Sequence, residues 1–77
     1  MRHGLFIEHH ENGVIASEGE YANGLEQGPW RDYFESGQLA AEGNYVNGRE
    51  HGVWRFWNED GSPESTVEYE LGKELLP

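Results

Sequence analysis

Between Gly28 and Trp57 the chain alternates with a period of two. Trp30 and Phe34 alternate with Arg31, Tyr33 and Glu35; Leu39, Ala41, Gly43 and Tyr45 with Gln38, Glu42, Asn44 and Val46; Gly52, Trp54 and Phe56 with Val53, Arg55 and Trp57. A two-residue period predicts strands with one apolar and one mixed face. Glu64–Glu70 alternates in the same way, and no segment carries a helical pattern that could cover a sheet. Asn12-Gly13, Ser36-Gly37 and Asp60-Gly61 interrupt the runs, as do Asn23-Gly24, Asn47-Gly48 and Leu71-Gly72. Such dipeptides suit two-residue type I′ hairpin loops, where both central residues take positive φ. About nine to eleven residues remain between turns, a strand length. The expectation is an all-β protein, a single curved antiparallel meander of about six strands.

The punctuation is periodic. Gly4, Gly28 and Gly52 recur at a step of 24 residues, as do Gly13, Gly37 and Gly61, and Gly24, Gly48 and Gly72. Gly19 and Gly43 fill a fourth slot in which Val67 is the exception, so all eleven glycines obey one period. The same step links Phe6, Trp30 and Trp54; Tyr21, Tyr45 and Tyr69; and His9, Tyr33 and Trp57. A fixed period of this size marks a repeat architecture. The chain reads as one domain over 1–77 with hairpin repeats at 4–27, 28–51 and 52–75.

Register follows from the loops. A two-residue loop at Ser36-Gly37 sets Trp30 opposite Gly43 and Phe34 opposite Leu39. One at Asn47-Gly48 sets Ala41 opposite Trp54 and Gly43 opposite Gly52. Alternation then gathers Trp30, Phe34, Leu39, Ala41, Gly43, Tyr45, Gly52, Trp54 and Phe56 on one face. The structural core is expected in Phe6, Trp30, Trp54, Tyr21, Tyr45 and Tyr69, with Gly19 and Gly43 leaving room for an indole across the strand. The other face carries Arg31, Tyr33, Val53, Arg55 and Trp57 among carboxylates. Pro63 suits an edge strand, because proline lacks an N–H donor. With Val67 it marks a C-terminal cap, and Gly72–Pro77 is too short to add a strand.

Fifteen acidic residues against five basic ones give a formal charge of −10. Nucleic acid phosphates and anionic membranes repel such a surface, so neither is an expected direct partner. Three Trp, four Tyr and three Phe argue against a solvated, disordered chain. Without cysteine, disulfides and thiolate metal sites are excluded. No apolar run reaches the ~18 residues of a membrane-spanning helix, and a cytoplasmic location is expected.

Candidate chemistry is thin. Side chains of His9 and His10 point to opposite faces of a strand and do not converge on one ion. The carboxylates of Glu18/Glu20 and Glu68/Glu70 share a face, but Glu18 recurs as Glu42, whereas catalytic residues are unique to one place. The serines lack the context of a nucleophile, and the glycines are spaced as turn residues, not as a phosphate cradle. No catalytic residue, metal or cofactor is expected, and the chain reads as a non-enzyme. Trp57, Tyr33 and Arg55, on the more polar face, are the candidate partner contacts, with Glu35, Glu42 and Glu59 steering.

Gly28-Pro29-Trp30-Arg31-Asp32-Tyr33-Phe34-Glu35-Ser36-Gly37-Gln38-Leu39 and Glu42-Gly43-Asn44-Tyr45-Val46-Asn47-Gly48 resemble MORN-type repeats, in their bacterial variant form. The resemblance spans Gly4 to Gly72. It implies a non-catalytic β-hairpin scaffold used for protein–protein contact. Many bacterial members are labelled antitoxins, which implies binding and neutralising a partner protein. Eukaryotic relatives are linked to anionic lipids, a role the −10 charge opposes. Two further readings stay open: an acidic mimic of nucleic acid that inhibits a basic protein, and a self-associating scaffold, including a homodimer.

Overall fold

In the computed structural model, residues 2–75 are described, all as strands and turns. The strands are β1 (Gly4–His9), β2 (Ile15–Ala22), β3 (Leu25–Glu26), β4 (Gly28–Tyr33), β5 (Leu39–Val46), β6 (Arg49–Trp57), β7 (Pro63–Glu70) and β8 (Lys73–Glu74). They form one open antiparallel sheet, ordered β1-β2-β4-β5-β6-β7-β8, with β3 also paired to β2. Six are long and two have two residues. β3 and β4 together occupy the place that β6 fills without a break one repeat later. The tail expected to add nothing forms β8, where Glu70 pairs Lys73 and Tyr69 pairs Glu74; Leu76 and Pro77 lie outside the described residues. The sheet measures 36 × 31 × 13 Å.

Two kinds of turn alternate, and only one matches the sequence expectation. Asn23-Gly24, Asn47-Gly48 and Leu71-Gly72 have positive φ at both residues, as type I′ loops require. At Asn12-Gly13, Ser36-Gly37 and Asp60-Gly61 only the glycine does. These are three-residue loops: Phe34 N–H donates to the Gln38 carbonyl and Gly37 N–H to the Phe34 carbonyl. The residue before the glycine is chosen for its side chain instead. Asn12 Oδ1, Ser36 Oγ and Asp60 Oδ1 each accept the N–H two residues on, at 3.0, 3.3 and 2.9 Å, as short polar side chains do in turns. In the last copy Ser62 Oγ also donates to Asp60, and the two bonds hold that carboxyl below its ordinary pKa.

The longer loops displace the register. Trp30 pairs Gly43 as expected, but Leu39 pairs Tyr33 rather than Phe34. The unpaired residue is Ala40, a bulge, and Leu39 thereby joins the face of Tyr33. A larger slip separates β5 from β6. Asn44 pairs His51, yet Ala41 pairs Phe56 rather than Trp54, and Glu42 pairs Arg55. Gly52, Val53 and Trp54 thus face the single residue Gly43, with Gly52 at φ +83. The matching slip between Glu18↔Arg31 and Tyr21↔Glu26 sets Gly28, Pro29 and Trp30 against Gly19. Because two residues are gained, the facing of every β6 side chain is preserved.

The slip creates the core. A Cβ built on Gly19 would lie 2.2 Å from Trp30 Cε3, and one on Gly43 would lie 2.1 Å from Trp54 Cδ2. Each indole therefore lies directly on the glycine of the preceding repeat. The indole on Gly43 comes from Trp54 on β6, not from Trp30, its ladder partner on β4. Among the described residues Trp30, Ala41 and Trp54 are buried, at 7%, 7% and 4% exposure. Rings meet edge to face or stacked along Phe6, Tyr21, Trp30, Tyr45 and Trp54, with centroids 5.0–5.7 Å apart. Arg2 lies over Phe6 and Tyr21 at one end, and Phe56 stacks on Trp54 at the other. Tyr69, on β7, pairs Gly52 on β6. The indole N–H groups are used: Trp30 Nε1 donates to Asp32 at 3.3 Å and Trp54 Nε1 to the Asn44 carbonyl at 2.9 Å.

Successive repeats are also tied at their turns. Gly24, Gly48 and Gly72 donate N–H to the carbonyls of Arg2, Glu26 and Glu50, each one repeat-step less two residues earlier. On the opposite rim Asn12 Nδ2 donates to the Glu35 carbonyl. His10 Nε2 bonds the Tyr33 carbonyl at 2.8 Å, so that nitrogen carries the proton.

Candidate interaction surface

The ring ladder occupies one face of the sheet, and the other face carries the exposed apolar side chains. Two rows cross this second face. Ladder pairing aligns Ile7, Glu18, Arg31, Glu42, Arg55 and Thr66 in the first. The second contains Leu5 beside Glu20, Pro29 beside Asn44, and Val53 beside Glu68. Leu5 is 81% exposed, Ile7 52% and Val53 45%. In the first row carboxylate and guanidinium alternate, bringing opposite charges together, and Arg31 Nε donates to Glu42 at 3.1 Å. That bond raises the guanidinium pKa further, though an exposed pair of this kind adds little stability.

Where three residues face one glycine the strands part, and a depression forms on this face. One of about 290 Å³ is bounded by Leu5, Ile7, Glu18, Glu20, Pro29 and Arg31, with Gly19 and Trp30 as floor. A second, about 220 Å³, recurs one repeat on between Pro29, Arg31, Glu42, Asn44, Val53 and Arg55, over Gly43. Two strand spacings separate equivalent positions, or roughly 10 Å. A third depression of about 430 Å³ lies at the loop rim, lined by His10, Tyr33, Phe34, Glu35 and Glu59. Tyr33 is fixed there by its hydroxyl, which donates to Glu18 Oε1 at 2.7 Å. This bond, aided by desolvation, raises the phenol pKa.

The six residues singled out from sequence therefore divide. Glu42 and Arg55 meet at the second depression, while Tyr33, Glu35 and Glu59 gather at the loop rim. Trp57, at the end of β6 opposite Pro63 and half-buried, lines none of the three depressions. Sequence reasoning missed Leu5, Ile7, Glu18 and Arg31, though the step from Leu5 through Pro29 to Val53 was available to find an apolar series on the polar face. Two histidines are engaged with backbone: His10 as above, and His51, whose Nδ1 accepts the Leu71 N–H at 3.3 Å. Among the described residues no group of three or more His, Cys, Asp or Glu is placed to hold a metal ion.

The model of the MORN repeat variant family matches three times, at residues 2–23, 26–47 and 50–71. The chain belongs to the MORN repeat variant family. The three MORN units start at the same 24-residue step as the glycines. No curated protein matches the chain. No solved structure matches it either. MORN repeats are generally non-catalytic modules that contact proteins or membranes.

Proposed function

We propose that this MORN protein is a non-enzymatic module that sequesters a partner protein, in the manner of an antitoxin or inhibitor, through the face opposite its aromatic ladder. The observation that carries the reading is the exposure of Leu5, Ile7 and Val53 beside two depressions spaced by one repeat. Exposed apolar groups set among polar ones are the make-up of a protein contact patch. Glu18, Glu20, Glu42 and Glu68 surround them, and the net charge of −10 favours a basic partner. Arg55 and Glu42 contact the partner at the second depression. Tyr33, with Glu35 and Glu59, extends the contact to the loop rim, and Trp57 contributes ring area at the end of β6.

The test is capture from the source cell's lysate with tagged wild-type protein and with Leu5→Asp/Val53→Asp, washed at about 0.1 and then about 0.5 M salt. The Debye length falls from about 10 Å to about 4 Å over that range. A specific protein retained by wild type at high salt and lost by the variant is the expected result. A basic protein lost from wild type at high salt favours acidic mimicry of nucleic acid instead. Recovery of the bait alone, or equal capture by the variant, refutes the reading.

A further inference from the structure

The indole-on-glycine seat occurs twice, at Gly19 under Trp30 and Gly43 under Trp54, and the third position of the series is Val67. Val67 pairs Trp54 on β6. On the other side of β7, β8 pairs only Tyr69 and Glu70, and the Leu75 N–H reaches the Glu68 carbonyl. Among the described residues, no strand pairs with Pro63–Val67 on that side.

A second copy of the chain carries a strand of matching sequence. The pairs Ser17↔Asp32 and Glu18↔Arg31 between β2 and β4, carried along the repeat, become Ser65 and Thr66 of one copy against Glu8 and Ile7 of the next. In that register β1 of the second copy continues the sheet, and its Phe6 falls where Trp30 and Trp54 fall in the earlier repeats. The ring would lie on residue 67. At the two equivalent glycines an added Cβ stands 2.2 and 2.1 Å from ring carbon, far inside contact distance. Val67 supplies that Cβ and two methyls besides. Phe56 occupies the position of Asp32 and stacks on Trp54, whose indole is 4% exposed.

We propose that Val67 is a stop residue: its side chain closes the third ring seat and prevents a second copy from adding its β1 to β7 in the register of the repeats. An unpaired strand edge is a template for another chain, and a head-to-tail contact of this kind does not close on itself but grows into filaments. The residue type at position 67 therefore decides whether the sheet is finite.

The decisive comparison is Val67→Gly against Val67→Ala. Both remove the valine methyls and neither changes charge, but alanine keeps the obstructing Cβ. Light scattering after size exclusion should show wild type and Val67→Ala without head-to-tail association, and Val67→Gly rising with concentration to at least twice the 8.8 kDa monomer mass. Register is read by mixing Ile7→Cys and Thr66→Cys chains under mild oxidation. The mixed disulfide should form efficiently when Val67→Gly is present and at least tenfold less when Val67 is retained. Monomeric Val67→Gly, equal association of Val67→Ala, or ready cross-linking with Val67 in place overturns the proposal. The last outcome needs no position-67 variant, so the idea stays open to refutation even if Val67→Gly unfolds.

Discussion

Replacing Gly43 with alanine adds one methyl group, and its cost can be worked from the seat it would enter. Gly43 does not adopt the left-handed backbone that favours glycine, so alanine meets no backbone strain there and the effect is steric. The new Cβ would stand 2.1 Å from Trp54 Cδ2, with Cε2 and Cγ at 2.3 and 2.5 Å. Ordinary carbon contact begins near 3.5 Å, so the ring must lift by more than an ångström. The indole is 4% exposed, edge to face with Tyr45 at 5.0 Å and hydrogen-bonded to the Asn44 carbonyl. Forced overpacking costs about 1–3 kcal/mol. Expelling the ring altogether approaches the ~3–5 kcal/mol of a Trp→Ala change. We expect a loss of about 2–4 kcal/mol, against a total stability of roughly 4–11 kcal/mol for a chain of this size. Urea unfolding followed by far-ultraviolet circular dichroism measures it, with the same substitution repeated in a Trp54→Ala background. There the methyl has room, and Gly43→Ala should cost under about 1 kcal/mol, so the two changes are strongly non-additive. A cost within about 0.5 kcal/mol of zero in the wild-type background would refute the seat. So would equal costs in the two backgrounds.

Other outcomes follow from the same geometry. Trp30→Ala should lose about 3–5 kcal/mol, while Trp57→Ala, from a half-buried strand end, should shift the melting temperature far less and weaken partner capture instead. Leu71 holds φ +47 where the two earlier repeats use asparagine, so Leu71→Asn should stabilise by about 0.5–1 kcal/mol in thermal denaturation. Burial first, then the charges of Glu50 and Glu26, raises the Tyr45 phenol to about 12. Its folded pKa lies above the ordinary tyrosine value, so the folded state holds that proton more tightly. The associated stability is whole below pH ~10 and is lost as pH climbs from there through 12. Ultraviolet titration of wild type against Tyr45→Phe should remove a phenol that titrates near pH 12.

Much of this fold was legible because glycine and the aromatics recur at one step. Asn23-Gly24 and Asn47-Gly48 require positive φ twice and declare their turn type; Ser36-Gly37 does not, because a three-residue loop needs only the glycine and a hydrogen-bonding side chain before it. That ambiguity misplaced Leu39. The slip at Gly52 was hidden for a different reason: a shift of two residues leaves every side chain on the same face, so alternation is blind to it. Gly43 could be read as room for an indole, but not for which one, since Trp30 pairs with it and Trp54 leans over it. Tyr33, Glu35 and Glu59 converge at one rim because the loops of successive repeats stack, and Glu42 meets Arg55 because of the slip. Leu5 and Ile7 were overlooked because a single apolar side chain on a polar face has a meaning only once the strand beside it is known.

The most direct test of the architecture is the proton spectrum of the eleven glycines. In Gly19 and Gly43 the Hα standing where Cβ would be points into an indole ring, so these two should show strong upfield ring-current shifts. Gly43 Hα should give nuclear Overhauser contacts to the ring of Trp54, and Gly19 Hα to that of Trp30. Glycines such as Gly13 and Gly28, with nothing within 4 Å of that position, should stay near unshifted values. Unshifted resonances at Gly19 and Gly43, or contacts from Gly43 to Trp30 instead of Trp54, would contradict the register on which the fold, the open face and the role of Val67 all depend.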